Sequence, residues 1–434
     1  MRATTHPCFY SYFQRPPAGG CEVGSDVQEV PVQQSDRQAE SIVADAVISK
    51  RARDIRPFLA MDVLERAQAI ERATGVNIVH LEVGEPDFNT PAPIVAAAVE
   101  AMHDGDTHYT HSLGLVELRE AIAAWYHRHY NVTVSPEQII VTPGSSAAIL
   151  LVLATLLDPG DEVILSDPRY ACYPNLIRLC EGNTVDVPVT EDEGFQYTAD
   201  KVRAHLTSRT KAILVNSPAN PTGTLLDPGE MAHIAALGPL VIADEIYHGL
   251  VYEGRAHSIL EYTDRAIVVN GFSKLFAMTG WRLGYVIAPP TLLRPMQKIQ
   301  QNLFISAGSF VQRGGIAALQ QAEANTRGMV EIYDQRRRIM LAGLREIGFG
   351  VGHDPTGAFY VFANATRFGR QSYPLAFAIL DHAKVAVAPG IDFGRRGEGY
   401  LRISYANSLD NIQEALRRLK QYLVFGVPYE QPEP

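Results

Sequence analysis

The chain has little of what marks several broad classes of protein. Among its 434 residues there are only four cysteines, Cys8, Cys21, Cys172 and Cys180, none at CxxC spacing. That argues against a zinc site or a disulfide scaffold and fits a reducing cytoplasm. No apolar run approaches the roughly 20 residues of a membrane span. The N-terminus carries no apolar core of a secretory signal. Basic residues are outnumbered, 38 against 48 acidic, giving a net charge of −10. That balance disfavours nonspecific binding to nucleic acid or to an anionic membrane. The segment 1–52 lacks sustained hydrophobic periodicity and reads as a disordered leader, too short and too acidic for a DNA-binding domain. No internal repeat is visible in the rest.

What remains is a soluble globular composition, 46% hydrophobic and 20% charged, long enough for two domains. Pro57–Thr74 has helical spacing, with Leu59, Val63, Leu64, Ala67 and Ile70 on one side. A strand is expected over Ile78–Val83, a helix over Val116–Tyr130, and short apolar strands at Ile139–Thr142, Val163–Ser166, Ile213–Val215, Leu240–Ala243, Ala266–Val269 and Gly284–Ala288. Several of these end in polar residues and are separated by helical segments, which is the pattern of an open, mostly parallel α/β sheet with ligands at the carboxyl ends of its strands. Long helices follow at Leu292–Ala324 and Thr326–Ile347, then strands at Phe359–Ala363 and Leu401–Tyr405 and helices near Pro374–Ala383 and Asp410–Tyr422, the mark of a smaller α+β unit. The expected division is 53–83 as an N-terminal segment packing with the small domain, 84–300 as the large domain, 301–425 as the small domain and 426–434 as a tail.

The stretch NGFSKLFAMTGWRLG, Asn270–Gly284, concentrates the chemistry. Lys274 stands among apolar neighbours, where desolvation favours the neutral amine, a nucleophile able to form a Schiff base with a carbonyl. Arg282, eight residues on, offers a fork of donors suited to phosphate. A turn lysine and a salt-bridged arginine are the plain alternative. Pro143-Gly144-Ser145-Ser146 links a strand to an apolar helix, which makes either a phosphate cradle or a serine-capped helix start. Gly84 opens GEPDFNTP after a strand. Tyr109 is a packing aromatic or a hydroxyl aimed at a ligand.

Taken in order, Gly84-Glu85-Pro86-Asp87, Tyr109 with Gly114, Gly144-Ser145-Ser146, Tyr170, Asn220-Pro221-Thr222-Gly223, Asp244 with Tyr247, Lys274, Arg282 and Arg402 resemble the class I/II aminotransferases, pyridoxal-phosphate enzymes of fold type I, over about residues 53–425. The resemblance implies a seven-stranded, mostly parallel sheet in the large domain. It implies amino transfer from an L-amino acid to a 2-oxo acid through a Lys274 aldimine and pyridoxamine phosphate. Asp244 would pair with the pyridine nitrogen. Asn220 and Tyr247 would bond the ring 3′-oxygen, and Tyr170 would stack on the ring. Gly144, Ser145, Ser146 and Arg282 would hold the phosphate, with Tyr109 reaching the neighbouring subunit of a homodimer. Arg402 would take the substrate α-carboxylate beside the Gly84 backbone, with Asn220 close by.

The chain departs from many relatives in having Gly271 where a phosphate-binding hydroxyl often stands. It also has Ser146 where one dicarboxylate-using subgroup has a lysine, so a pocket near Phe58 and Phe359 suits neutral or aromatic side chains. A lyase or cyclopropane-forming synthase of the same fold would use the same residues, and a ligand-sensing module of this fold would need a DNA-binding domain that residues 1–52 do not supply. No metal site is expected.

Overall fold

The computed structural model describes residues 47–431. The chain divides into a unit Met1–Arg53 and a second, Asp54–Pro434, which holds every feature below. Of the expected leader, residues 1–46 lie outside the described residues.

Seven strands form the main sheet: β2 (Ile139–Thr142), β3 (Glu162–Asp167), β4 (Asn183–Pro188), β5 (Thr210–Asn216), β6 (Leu240–Asp244), β7 (Ala266–Gly271) and β8 (Gly284–Ile287). Their spatial order is β2-β8-β7-β6-β5-β3-β4. Every pairing is parallel except those of β8, which runs antiparallel between β2 and β7. β2, β6, β7 and β8 are buried along nearly their whole length, because helices cover both faces; such strands read as continuous apolar runs. β4 was not expected. Its NTVDVP alternates two valines with polar residues at the sheet edge, a pattern too short to stand out.

A second sheet is antiparallel: β9 (Tyr360–Asn364), β11 (Ala388–Pro389) and β12 (Tyr400–Ser404), in the order β11-β12-β9. β1 (Val79–His80) pairs in parallel with β10 (Val385–Ala386). The strand expected over 78–83 is thus cut to two residues. After Leu81 the backbone leaves the ladder, and the Glu82 carbonyl turns to accept from Arg402.

The helix expected over 57–74 runs Leu59–Thr74 and ends at Gly75, whose left-handed φ of 70° only glycine takes freely. It lays Val63 and Ala67 against Leu380 and Ala386 of the smaller sheet region. The helix over 116–130 is found with the expected bounds. The run expected as one helix over 292–324 is two, Pro290–Leu303 and Ser309–Gln321. The break falls at Phe304–Gly308, where Ile305 takes a φ of 63° and the Ser306 hydroxyl accepts from the Thr110 amide.

Candidate active site

Parallel strands point their carboxyl ends to one edge of the sheet, and the chain leaves that edge in loops. β5 ends at Asn216 directly opposite Asp244, the last residue of β6, and Asp244 is opposite Val269 of β7. β2 ends at Thr142, just before the Gly144-Ser145 turn, and β3 at Asp167, just before Tyr170. These loops surround a cavity of about 280 Å³. The smaller sheet closes its far side with Tyr360 and Arg402.

Ten of the residues singled out by the sequence line this one cavity. Lys274, Asp244, Asn220 and Tyr247 form its floor and walls, and Ser145, Ser146 and Arg282 one end. Gly84, Tyr170 and Arg402 also face it. Gly144 stands immediately behind: a Cβ there would come within 2.4 Å of the Arg282 guanidinium, and its φ is 94°. Only glycine allows so close an approach. Tyr109 is not brought in; it is 80% exposed on its own loop.

Lys274 is partly buried, and its Nζ donates to the Gly84 carbonyl at 2.6 Å. Burial is the main reason its amine is pushed down to about 8. Glu85 opposes that shift, Arg402 and Arg282 add to it, and Asp244 opposes it weakly. The amine is therefore close to shedding its proton near neutrality, as a nucleophile or base must.

Asp244 is buried. Its Oδ2 accepts from the Tyr173 hydroxyl at 2.6 Å and its Oδ1 from the Ile246 amide at 3.1 Å. Burial raises the carboxyl to about 6, against the pull of Tyr173, the Ile246 amide and Lys274. It can thus hold a negative charge at neutral pH in a dry site, where it is a strong partner for a cation. The next residue points the other way. Glu245 enters the core, accepts from Tyr126, Ser258 and the Ile259 amide, and is raised to about 8 by burial. His248 packs behind it, pushed to about 3 by burial, with Nδ1 2.8 Å from the Tyr130 hydroxyl.

Arg402 is 2% exposed in the centre of β12. Its guanidinium lies 4.5 Å from the Tyr360 ring and 4.8 Å from the Phe393 ring. Nη1 donates to Asn220 Oδ1 at 3.1 Å and Nη2 to the Glu82 carbonyl, while Nε has no protein partner. Asn220 is held in turn, its amide donating to Asn216 Oδ1 at 2.8 Å. The Tyr247 and Tyr360 hydroxyls meet at 2.8 Å.

Phe359, expected near the pocket, is fully buried beside it, with its ring 5.9 Å from Lys274 Nζ. Strand alternation turns the next residue, Tyr360, into the cavity instead. Phe58 lines the cavity as expected, edge-on to Tyr170 at 6.3 Å. Ser273 also lines it, whereas Gly271 is confined: a Cβ there would meet the Leu283 carbonyl at 3.0 Å.

Sequence reading gave no role to Tyr173, Tyr360, Glu85 or Thr279, although Glu85 stands in the Gly84–Asp87 motif. Tyr173 lies three residues after Tyr170, a spacing that could have flagged it. Glu85 accepts from the Thr279 hydroxyl, tying the Gly84 loop to the lysine loop; no local pattern announces that pair. Among the described residues no group of acidic, histidine or cysteine side chains could hold a metal ion, and no helix is long and apolar enough to cross a membrane.

The family described as "Aminotransferase class I and II" matches residues 76–419. The (5-formylfuran-3-yl)methyl phosphate transaminase of Methanocaldococcus jannaschii is 42% identical over 381 residues, covering 87% of this chain and 100% of the relative. The valine–pyruvate aminotransferase of Mycobacterium tuberculosis is 39% identical over 377 residues, covering 85% of this chain and 97% of that one. The aspartate aminotransferase of Thermus thermophilus, solved with maleate, superposes with a TM-score of 0.82 at 36% identity, over 87% of this chain and 99% of that one. The seven-stranded sheet is accordingly that of fold type I, and the chain is an enzyme belonging to the class I and II aminotransferases.

Proposed function

We propose that the cavity holds pyridoxal 5′-phosphate and moves an amino group from an L-amino acid with a neutral or aromatic side chain to a 2-oxo acid. One observation carries the reading: a partly buried lysine with a lowered pKa shares a cavity with a buried carboxylate and a buried arginine.

The residues fit the cofactor. The Gly144–Ser145 turn opens the helix Ser145–Leu156, and its free amides and two serine hydroxyls suit a phosphate. Arg282 reaches that turn because Gly144 has no side chain to stop it. Asp244 would face the pyridine nitrogen, Asn220 and Tyr247 the 3′-oxygen, and Tyr170 a ring face. When bound, the cofactor supplies an aldehyde that takes up the amino group and a protonated ring that accepts electrons from Cα.

The chain's own residues do the rest. Lys274 moves the proton at the substrate Cα, for which a pKa near neutrality is well matched. Asp244 keeps the ring nitrogen protonated. Arg402 binds the α-carboxylate. Phe58 and Tyr170 exclude water. Ser146 at the phosphate end and the apolar Phe58, Met61 and Ile149 in the walls give a distal carboxylate no cation of its own.

A homodimer is supported by exposed apolar side chains near Tyr109. Leu303 is 54% and Ile305 44% exposed, and the Tyr109 loop is bonded to this segment through Thr110 and Ser306. Tyr109 would then complete the phosphate site of the partner. A large domain over 84–300 would be built on the seven-stranded sheet and a small one over 301–425 on the three-stranded sheet, joined by the segment 53–83. Cys172 and Cys180 are unpaired thiols, which suits the cytoplasm.

The test is to incubate the protein with pyridoxal phosphate, a panel of amino acids and 2-oxoglutarate, and to assay both the oxo-acid product and ammonia. Oxo acid and glutamate in equal amounts are expected. Ammonia release without glutamate would mark lyase chemistry and overturn the reading.

A further inference from the structure

The helix Leu59–Thr74 begins without a cap of its own, because the residue before it is Phe58 and no side chain there bonds the free amides. A residue more than three hundred positions away supplies the cap. Asp392 accepts from the Leu59 amide with Oδ1 and from the Ala60 amide with Oδ2, both at 3.1 Å. Phe58, Ala60 and Met61 are cavity wall.

Asp392 sits in the short turn Gly390–Phe393, and its neighbour Phe393 stacks on the Arg402 guanidinium at 4.8 Å. That turn follows β11, whose Ala388 pairs with Arg402 itself. Four consecutive residues thus grip both the arginine and the apolar wall. Upstream, the wall is held separately: Asn175 accepts from the Arg56 amide and donates to the Arg56 carbonyl.

We propose that Asp392 is a positioning residue that pins the Phe58–Met61 wall at a set distance from Arg402 and so determines which amino-acid side chains the enzyme accepts. The proposal rests on the amino-transfer reading. A donor gripped by its α-carboxylate extends its side chain into whatever space the wall leaves. A wall fixed by two hydrogen bonds to one carboxylate gives a sharp size limit, and a wall released from them gives a soft one.

The test compares wild type, Asp392→Ala and Asp392→Asn in the cofactor-loaded full chain. Two quantities are read: amide hydrogen exchange at Leu59 and Ala60, and the ratio of kcat/KM for phenylalanine to that for alanine. In Asp392→Ala the two amides should exchange at least tenfold faster and the ratio should change at least threefold, with the visible absorbance of the bound cofactor unaltered. Asp392→Asn keeps one acceptor and should fall between; it carries the test if the alanine variant does not fold. Faster exchange with an unchanged ratio would leave Asp392 a mere helix cap and overturn the proposal, and so would unchanged exchange. If the wild type turns over no donor, the transfer reading fails, while the exchange rates still decide whether Asp392 pins the wall.

Discussion

Replacing Arg402 by lysine keeps the charge and removes the fork. The guanidinium is 2% exposed, flanked by two aromatic rings, and its two terminal nitrogens reach Asn220 Oδ1 and the Glu82 carbonyl. An ammonium is a point charge with no planar face to match the substrate carboxylate. It loses one charge-assisted hydrogen bond to that carboxylate, worth about 1.5–3 kcal/mol. At 1.4 kcal/mol per tenfold, kcat/KM should fall roughly 10- to 150-fold. Because amino donor and oxo acid share the α-carboxylate, KM should rise for both, and kcat should fall as the Cα–H bond loses its orientation. One of the two carbonyl oxygens now served by Arg402 is left without a donor, which costs about 1–3 kcal/mol of stability and lowers Tm by a few degrees. Cofactor affinity should stay the same, since Arg282 and the Gly144–Ser146 turn lie at the other end of the cavity. The assay is steady-state kinetics with two donors and two oxo acids, beside an absorbance titration with pyridoxal phosphate. Loss of the cofactor with both KM values unchanged would refute the assignment and make Arg402 a structural or cofactor residue.

Lys274→Met should abolish turnover and, in the cofactor-free protein, raise the melting temperature at pH 7. The folded amine titrates near 8 against 10.5 for the free side chain, so the unfolded chain binds the proton more tightly. The penalty on folding is full below pH 8 and is relieved as pH rises from 8 to 10.5. At about 1.4 kcal/mol per pH unit it amounts to roughly 3 kcal/mol, so the gain over wild type should shrink toward pH 10.5; a gain that grew with pH would contradict this. Tyr173→Phe removes the hydroxyl that holds Asp244 ionised, and the acidic limb of the pH–rate profile should move up by about one unit. A limb that stays in place would show that Asp244 does not govern it.

The parts of the site carried by contiguous segments were legible in the sequence. Lys274 and Arg282 share one loop, Ser145 and Ser146 one turn, and Asp244 and Tyr247 one strand end, so composition and order sufficed. Contacts between distant segments were not. Tyr173 meets Asp244 across 71 residues, Glu85 meets Thr279 across 194, and Asp392 caps a helix 333 residues earlier. Each pair is made by tertiary packing and leaves no local periodicity. Tyr360, one residue after Phe359, lines the cavity because in a strand one residue exchanges the two faces. The break at Phe304–Gly308 was hidden because the turn rests on a bond to the distant Thr110, which leaves no local mark.

The reversed direction of β8 constrains how this loop can evolve. Gly284, its first residue, is registered against Thr142 of β2 and Gly271 of β7, the final residues of two strands that run the other way. Arg282 therefore enters at the edge where those strands leave. Were β8 parallel to them, its start would lie at the opposite edge, about 10 Å away over four residues at 3.3 Å each. The chain must turn back fully between Gly271 and Gly284, and the twelve residues 272–283 form the whole connection, with Lys274 and Arg282 separated by seven of them. The side chains of the interval are themselves held, Leu275, Phe276, Ala277 and Met278 by burial, Thr279 by Glu85 and Trp281 by Thr90. An inserted or deleted residue would shift Arg282 relative to Gly144 and separate the lysine from the arginine. Across descendants of this sequence, the length of that interval should be strictly kept.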